Sequence, residues 1–196
     1  MNNTRDTILS TAAELFAARG FDAISMRDIA SACQIKAPSL YNHFADKKTL
    51  YQETLRYVFE EHGASLMGCL KDDKPAEEKL GNFIRLICHR LNEKPIFRQL
   101  FMRELIEQDE ERSKFLVNVV MAETCHALHD IFLGINPACD PHFLTTSLVG
   151  LVIFHFQINP MRPYLPGGST ETQSEDYLAA NILKLMSQAL EEPPRG

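Results

Sequence analysis

The chain has no apolar run approaching the ~20 residues that a membrane-crossing helix needs, and no sustained alternation of apolar and polar residues that would read as a strand. The first absence speaks against a membrane protein, the second against β and α/β folds. No internal repeat is present. The opening MNNTRDTILS lacks a basic segment, an apolar stretch and a small-residue cleavage site, so no secretory signal is expected. Cysteines are few: Cys33, Cys69, Cys88, Cys125 and Cys139 are odd in number and have no paired spacing. They read as reduced thiols of a cytoplasmic protein.

What is present suits a globular chain. Its 196 residues, 45% of them hydrophobic, are enough for one domain or two closely packed ones with a sizeable core. The net charge of −6 argues at first against nucleic acid, but its distribution changes that reading. Residues 1–50 carry six Lys/Arg (Arg5, Arg19, Arg27, Lys36, Lys47, Lys48) against five Asp/Glu, so the acidity belongs to the remainder. A small basic footprint suffices where two copies add their phosphate contacts.

Helical periodicity runs throughout. Thr4–Arg19 places Ile8, Ala12, Leu15 and Phe16 on one side, with Gly20 as a stop. Asp46 caps a helix to about Leu70, and Pro75 opens another that carries Leu80, Phe83, Ile84, Ile87, Cys88 and Leu91. Residues 96–105, a long helix from about Asp109 to Phe132, an all-round apolar His142–Ile158 and Ser174–Leu190 follow. INPACDP (135–141) and the Pro/Gly-rich 159–172 are connections. The fold expected is all-α: a three-helix head with a helix-turn-helix, then a helical bundle, about nine helices in total.

Between Ile24 and Leu50 stands ISMRDIASACQIKAPSLYNHFADKKTL. Met26, Ile29 and Ala30 form a buried stripe, and Ser25 with Asp28 makes a loose capping box. Residues 32–36 turn, and Pro38 suits the first turn of a second short helix. Its Leu40 and Phe44 face the core, leaving Ala37, Ser39, Tyr41, Asn42 and His43 outside. A helix this short is not stable alone, and entry into a DNA major groove would account for it. Ser25, Arg27 and Lys36 flank that surface. Lys47 opens the next helix, where its charge opposes the dipole, and a nearby phosphate would account for it. Lys48 reads as a solvated charge.

These residues resemble the N-terminal DNA-binding region of TetR-family transcriptional regulators, over about Thr4 to Tyr51. Ala12, Leu15, Phe16, Gly20, Phe21, Ser25, Ile29, Ala30, Leu40, Tyr41, Phe44, Lys47 and Leu50 stand where that pattern wants them. One departure is Gln34, where the family's turn usually has glycine. The resemblance implies a homodimeric regulator, most simply a repressor, that leaves a near-palindromic operator when a small molecule binds. Residues 1–50 would read DNA, and residues 51–196 would bind effector and dimerise.

Other candidates are weaker. Cys125, His126, His129 and Asp130 share helix faces, but no second ligand cluster accompanies them, so no metal or cofactor is expected. The cysteines lie mostly on apolar faces, where a thiol stays inert, and no catalytic residues are assigned. For a largely apolar effector the candidate lining is Phe83, Ile87, Phe97, Phe101, Phe115, Val119 and Leu148, with Glu123, His126 and His155 as orienting polar groups. For a four-helix seam about a twofold axis the candidates are Leu148, Leu151, Val152, Ile182 and Met186.

Overall fold

Every described element is a helix or a turn, in a computed structural model that describes residues 4–169 and 174–191, without the side chains of residues 61, 62 and 64. The helices are α1 (Thr4–Arg19), α2 (Met26–Ala32), α3 (Ala37–Tyr41), α4 (Lys47–Lys71), α5 (Ala76–Glu93), α6 (Pro95–Glu107), α7 (Glu110–Phe115), α8 (Ala122–Ile135), α9 (Pro141–Gln157) and α10 (Glu175–Glu191). The all-α expectation holds. A π-helical segment, Leu116–Met121, joins α7 to α8. Counting that run as one helix gives nine among the described residues, as expected, and splitting it gives ten.

Glu110–Ile135 is also long and apolar enough, by length and composition, to cross a membrane. This corrects the reading that no stretch comes near that size. The exposed Glu123 and Asp130 interrupt it.

Local chemistry sets most boundaries. Gly20 ends α1 at φ 81°, donating its N–H to Phe16 O at 2.8 Å. The Asp46 carboxylate caps α4 by accepting from Thr49 N at 2.7 Å, and that bond is the largest influence holding its pKa below the usual value. Asp140 caps α9 through Phe143 N at 2.9 Å. Of the 159–172 connection, residues 162–164 form a 3-10 turn, and residues 170–172 lie outside the described ones.

The chain divides into two compact units: Met1–His62 with Pro95–Met121, and Gly63–Lys94 with Ala122–Gly196. In the first, Ile8, Ala12 and Phe16 of α1 are buried with Ile29 of α2, Leu40 of α3, Leu50 and Leu55 of α4 and Leu100 of α6. Full burial of such side chains contributes about 1.5–3 kcal/mol each. Polar groups enter this interior too. Glu104 is only 3% exposed; its carboxylate accepts from Tyr51 OH at 2.5 Å and from Arg112 Nε at 3.2 Å. Burial, then the bond to Glu104, pushes the Tyr51 phenol well above its usual pKa.

In the second unit α5 packs against α8, α9 and α10, and α9 against α8 and α10. Its interior is Leu80, Ile84, Leu91, Phe132, Leu148, Val152, Ile182 and Met186. Cys88 is buried there, and its thiol is pushed up to about 12, chiefly by burial. The helix expected to be buried on all sides, α9, buries Leu144, Leu148, Val152 and Phe156 and leaves Phe143 and Phe154 exposed.

Candidate nucleic-acid interface

Ser25 starts the reading motif. Its Oγ accepts from Asp28 N at 3.2 Å, and Asp28 Oδ2 accepts from Ser25 N at 2.8 Å, a complete capping box. The Ser25 hydroxyl also donates to Asp28 Oδ2 at 2.6 Å, which is the leading reason the Asp28 carboxyl sits below its usual pKa. The one hydroxyl proton of Ser25 is thereby committed. Donation to a phosphate would require it to leave Asp28. Arg27 projects outward one residue past the start of α2.

The turn after α2 closes with Ile35 N donating to Ala30 O at 2.9 Å. Gln34 takes the left-handed conformation that glycine would occupy, with φ 56°. Lys36 is the N-cap of α3 and Pro38 lies in its first turn. Leu40 and Phe44 are buried as expected, while Lys36, Ser39, Tyr41, Asn42 and His43 are exposed and Ala37 is half-buried. Tyr41, at 52% exposed, is a large ring left in solvent. The helix is shorter than a reading through Phe44 would have it. Asn42 is its C-cap, and His43 N donates to Leu40 O at 3.0 Å in the turn beyond.

Lys47 is half-buried and already engaged. Its Nζ donates to Phe21 O at 3.0 Å and lies 4.2 Å from the centre of the Phe21 ring. A carbonyl and an aromatic face account for a cation at this helix start, so a phosphate is not needed to explain it. Lys48, expected to be merely solvated, pairs with Glu111.

The sequence reading missed Glu104, Glu107, Arg103 and Arg112, which gather around Phe21 and Tyr51. Arg112 Nη2 bonds Glu107 Oε2 at 2.7 Å, and its guanidinium lies 5.0 Å from the Phe21 ring centre and 5.7 Å from that of Tyr51. Arg103 donates to Ala17 O at 3.1 Å and Ala18 O at 2.5 Å, satisfying terminal carbonyls of α1. Glu104 meets Tyr51 across 53 positions and Arg103 meets Ala17 across 86, and contacts that distant leave no local sequence signal.

The candidate effector residues divide between the two compact units. Phe97, Phe101, Phe115 and Val119 belong to the first compact unit, and Phe83, Ile87, Glu123, His126, Leu148 and His155 to the second. Phe83, Phe97, Phe101 and Leu148 are core, whereas Val119 is exposed. Glu123 and His126 line an open groove of about 510 Å³ with Met67, Leu70 and Ile131. His155 lines another, of about 330 Å³, where Arg162 Nη2 donates to His155 O at 2.8 Å. Burial first, then the Arg162 charge, lowers the His155 pKa.

The expected seam also needs correction. Leu148, Val152, Ile182 and Met186 are buried within the single chain, where α9 and α10 pack on each other, and Leu151 is half-buried. Side chains already covered have little surface left to give a second copy. The exposed apolar groups of these helices are Phe143, Phe154, Tyr177 and Leu185.

Residues 8–54 match the family model of bacterial regulatory proteins, tetR family. The biofilm operon icaADBC HTH-type negative transcriptional regulator IcaR of Staphylococcus aureus is 38% identical over 56 residues, 29% of this chain and 30% of that protein. The likeness to such curated relatives thus spans under a third of their length. Among solved structures, the fatty acid degradation regulator FadR from Bacillus halodurans superposes with a TM-score of 0.73 at 15% identity, covering 95% of each chain. AibR, solved in complex with isovaleryl coenzyme A and operator DNA, superposes with a TM-score of 0.72 at 19% identity, covering 93% of this chain and 97% of AibR. At those identities the likeness beyond the head is one of fold. The head, residues 8–54, is thus similar to that of the tetR family of bacterial regulatory proteins.

Proposed function

We propose that the protein is a sequence-specific DNA-binding transcriptional regulator, a repressor released from its operator by a small-molecule effector. The observation that carries this reading is α3: a five-residue helix whose inner residue Leu40 is fully buried while Ser39, Tyr41, Asn42 and His43 face solvent together. Nothing in its own length stabilises such a helix, and a major groove is the partner its outer surface fits. Residues 1–50 read DNA and residues 51–196 carry effector binding and pairing. Arg27, Lys36 and Lys47 supply positive charge beside the reading surface.

The protein acts in the cytoplasm as a homodimer without enzymatic activity. Pairing sets two copies of α3 about 34–36 Å apart, or a multiple of that, on a near-palindrome. The exposed apolar side chains of α9 and α10 support a twofold interface there. An effector with an apolar acyl portion is in keeping with the name of FadR, a fatty acid degradation regulator, and with the isovaleryl group of the coenzyme A thioester bound by AibR. It releases DNA only by binding better to the conformation that does not fit the operator.

The test is to sequence genomic DNA recovered with the purified protein and then measure binding against salt. A near-palindromic motif should be enriched, and log K should fall steeply and linearly with log salt. No enrichment, or binding indifferent to salt, would overturn the reading.

A further inference from the structure

We propose that Arg112 is a positioning residue for the DNA-reading head, holding the corner between α1 and α2 in one geometry. This rests on the DNA-binding reading. The corner is Gly20 and Phe21. On the side of α6 it meets side-chain ends: a Cβ on Gly20 would stand 2.5 Å from Glu107 Oε1 and 3.2 Å from an Arg103 guanidinium nitrogen, so a larger residue would displace these charged groups.

Three cations grip this corner. Arg103 takes the last carbonyls of α1, Lys47 takes the carbonyl and ring of Phe21, and Arg112 lies over the same ring. Arg112 ties the corner to buried charge. Its side chain is 11% exposed, and it bonds Glu104, which also accepts from Tyr51, and Glu107. Burial opposes its charge, while the Glu104, Asp109 and Glu107 carboxylates outweigh that and raise its pKa. All of these contacts are made together in the present placement of Phe21, Tyr51 and the end of α6.

A buried ion pair is weak evidence for net stability, and fixing a particular arrangement is the better-attested use of such groups. Here the arrangement matters. Ser25, the cap of α2, follows Phe21 by four positions, and α2 is bonded onward to the turn before α3 through Ala30 O. A corner free to wander would present α3 as an ensemble, and apparent affinity falls by the fraction of molecules in the competent state.

The experiment compares the full chain with Arg112→Met, Arg112→Lys and Tyr51→Phe by hydrogen exchange and by binding to the duplex that the wild type recovers from genomic DNA. In Arg112→Met, amides of residues 16–44 should exchange about tenfold faster or more, the effect of losing a charged hydrogen bond, while α9 and α10 keep their protection. DNA binding should weaken by a similar factor with its salt slope unchanged, since no phosphate contact is removed. Arg112→Lys should restore part of both, lacking the planar fork that meets two carboxylates and a ring.

Unchanged exchange over residues 16–44, or faster exchange spread evenly over the chain, overturns the proposal, and so does a salt slope reduced by about one, which would make Arg112 a phosphate contact. Should Arg112→Met fail to fold, Tyr51→Phe decides: a smaller loosening confined to the same segment supports the proposal and none overturns it. If the wild type recovers no DNA, the functional reading fails by itself, and the exchange pattern still judges the latch.

Discussion

In the unit that holds α1–α3 and α6, charge reaches the interior: Glu104 is 3% exposed and bonded to Tyr51 and Arg112. In the unit that holds α5 and α8–α10, the buried side chains among the described residues are apolar apart from Cys88 and Thr145, and ion pairs such as Lys71–Glu123 and Lys74–Glu78 stand at the surface. Helix length explains the difference. Helices of 17 and 18 residues, as in α10 and α5, bury enough apolar area to fix one another. Helices of 7 and 5 residues, as in α2 and α3, bury little, so directional contacts must fix the geometry of what they join.

The most damaging way to break the contrast is a charge in the apolar interior. Ile182→Asp, at a position 1% exposed, should cost about 3–5 kcal/mol and abolish a cooperative urea transition of α5 and α8–α10. Glu104→Ala should approach that cost, about 3 kcal/mol, because it strands Arg112 and Tyr51. The double change Glu104→Met with Arg112→Leu should cost far less than Glu104→Ala in the same assay, yet still weaken operator binding. A double variant as unstable as Glu104→Ala would make the cluster a stability element and erase the contrast.

Gly20→Ala is next, at about 1–2 kcal/mol, because φ is 81° and the new methyl meets Glu107. Thermal denaturation should show it, and an unchanged midpoint would mean that the corner has room to give.

The smallest effect belongs to the surface of the second unit. His89 contacts Glu175 at 2.7 Å and Glu93 at 3.2 Å, and the bond to Glu175 is the main reason its pKa is raised. The folded chain therefore holds this proton more tightly than the unfolded one. The stabilisation is complete below the unfolded value of about 6.5 and is lost as pH rises through the higher folded value. The difference in melting temperature between wild type and His89→Asn should shrink from about pH 5.5 to about pH 8.5. A constant difference would assign it to packing.

Features that act locally were legible in the sequence. Ser25 with Asp28, Gly20 and Asp46 mark helix ends where the structure has them, because a cap is made within three or four residues. The buried positions Ile29, Leu40 and Phe44 followed from helical spacing. Partnership did not. Periodicity says that a face of α9 is apolar but not whether α5, α8, α10 or a second molecule covers it, so Leu148 and Val152 were read as seam. Nor does an aromatic excess reveal that Phe83 and Phe97 belong to different compact units. The π segment at Leu116–Met121 and the Tyr51–Glu104–Arg112 cluster likewise depend on tertiary contacts with no signature in their own neighbourhoods.

Gln34, at φ 56° between α2 and α3, bears on what docking costs. The left-handed basin open to a residue with a side chain is small, whereas glycine ranges over both halves of the map. A glutamine there raises local energy by roughly 1–2 kcal/mol and in exchange narrows the angles the two helices can adopt. The reading surface is therefore preorganised, with less conformational freedom left to surrender when it meets a partner.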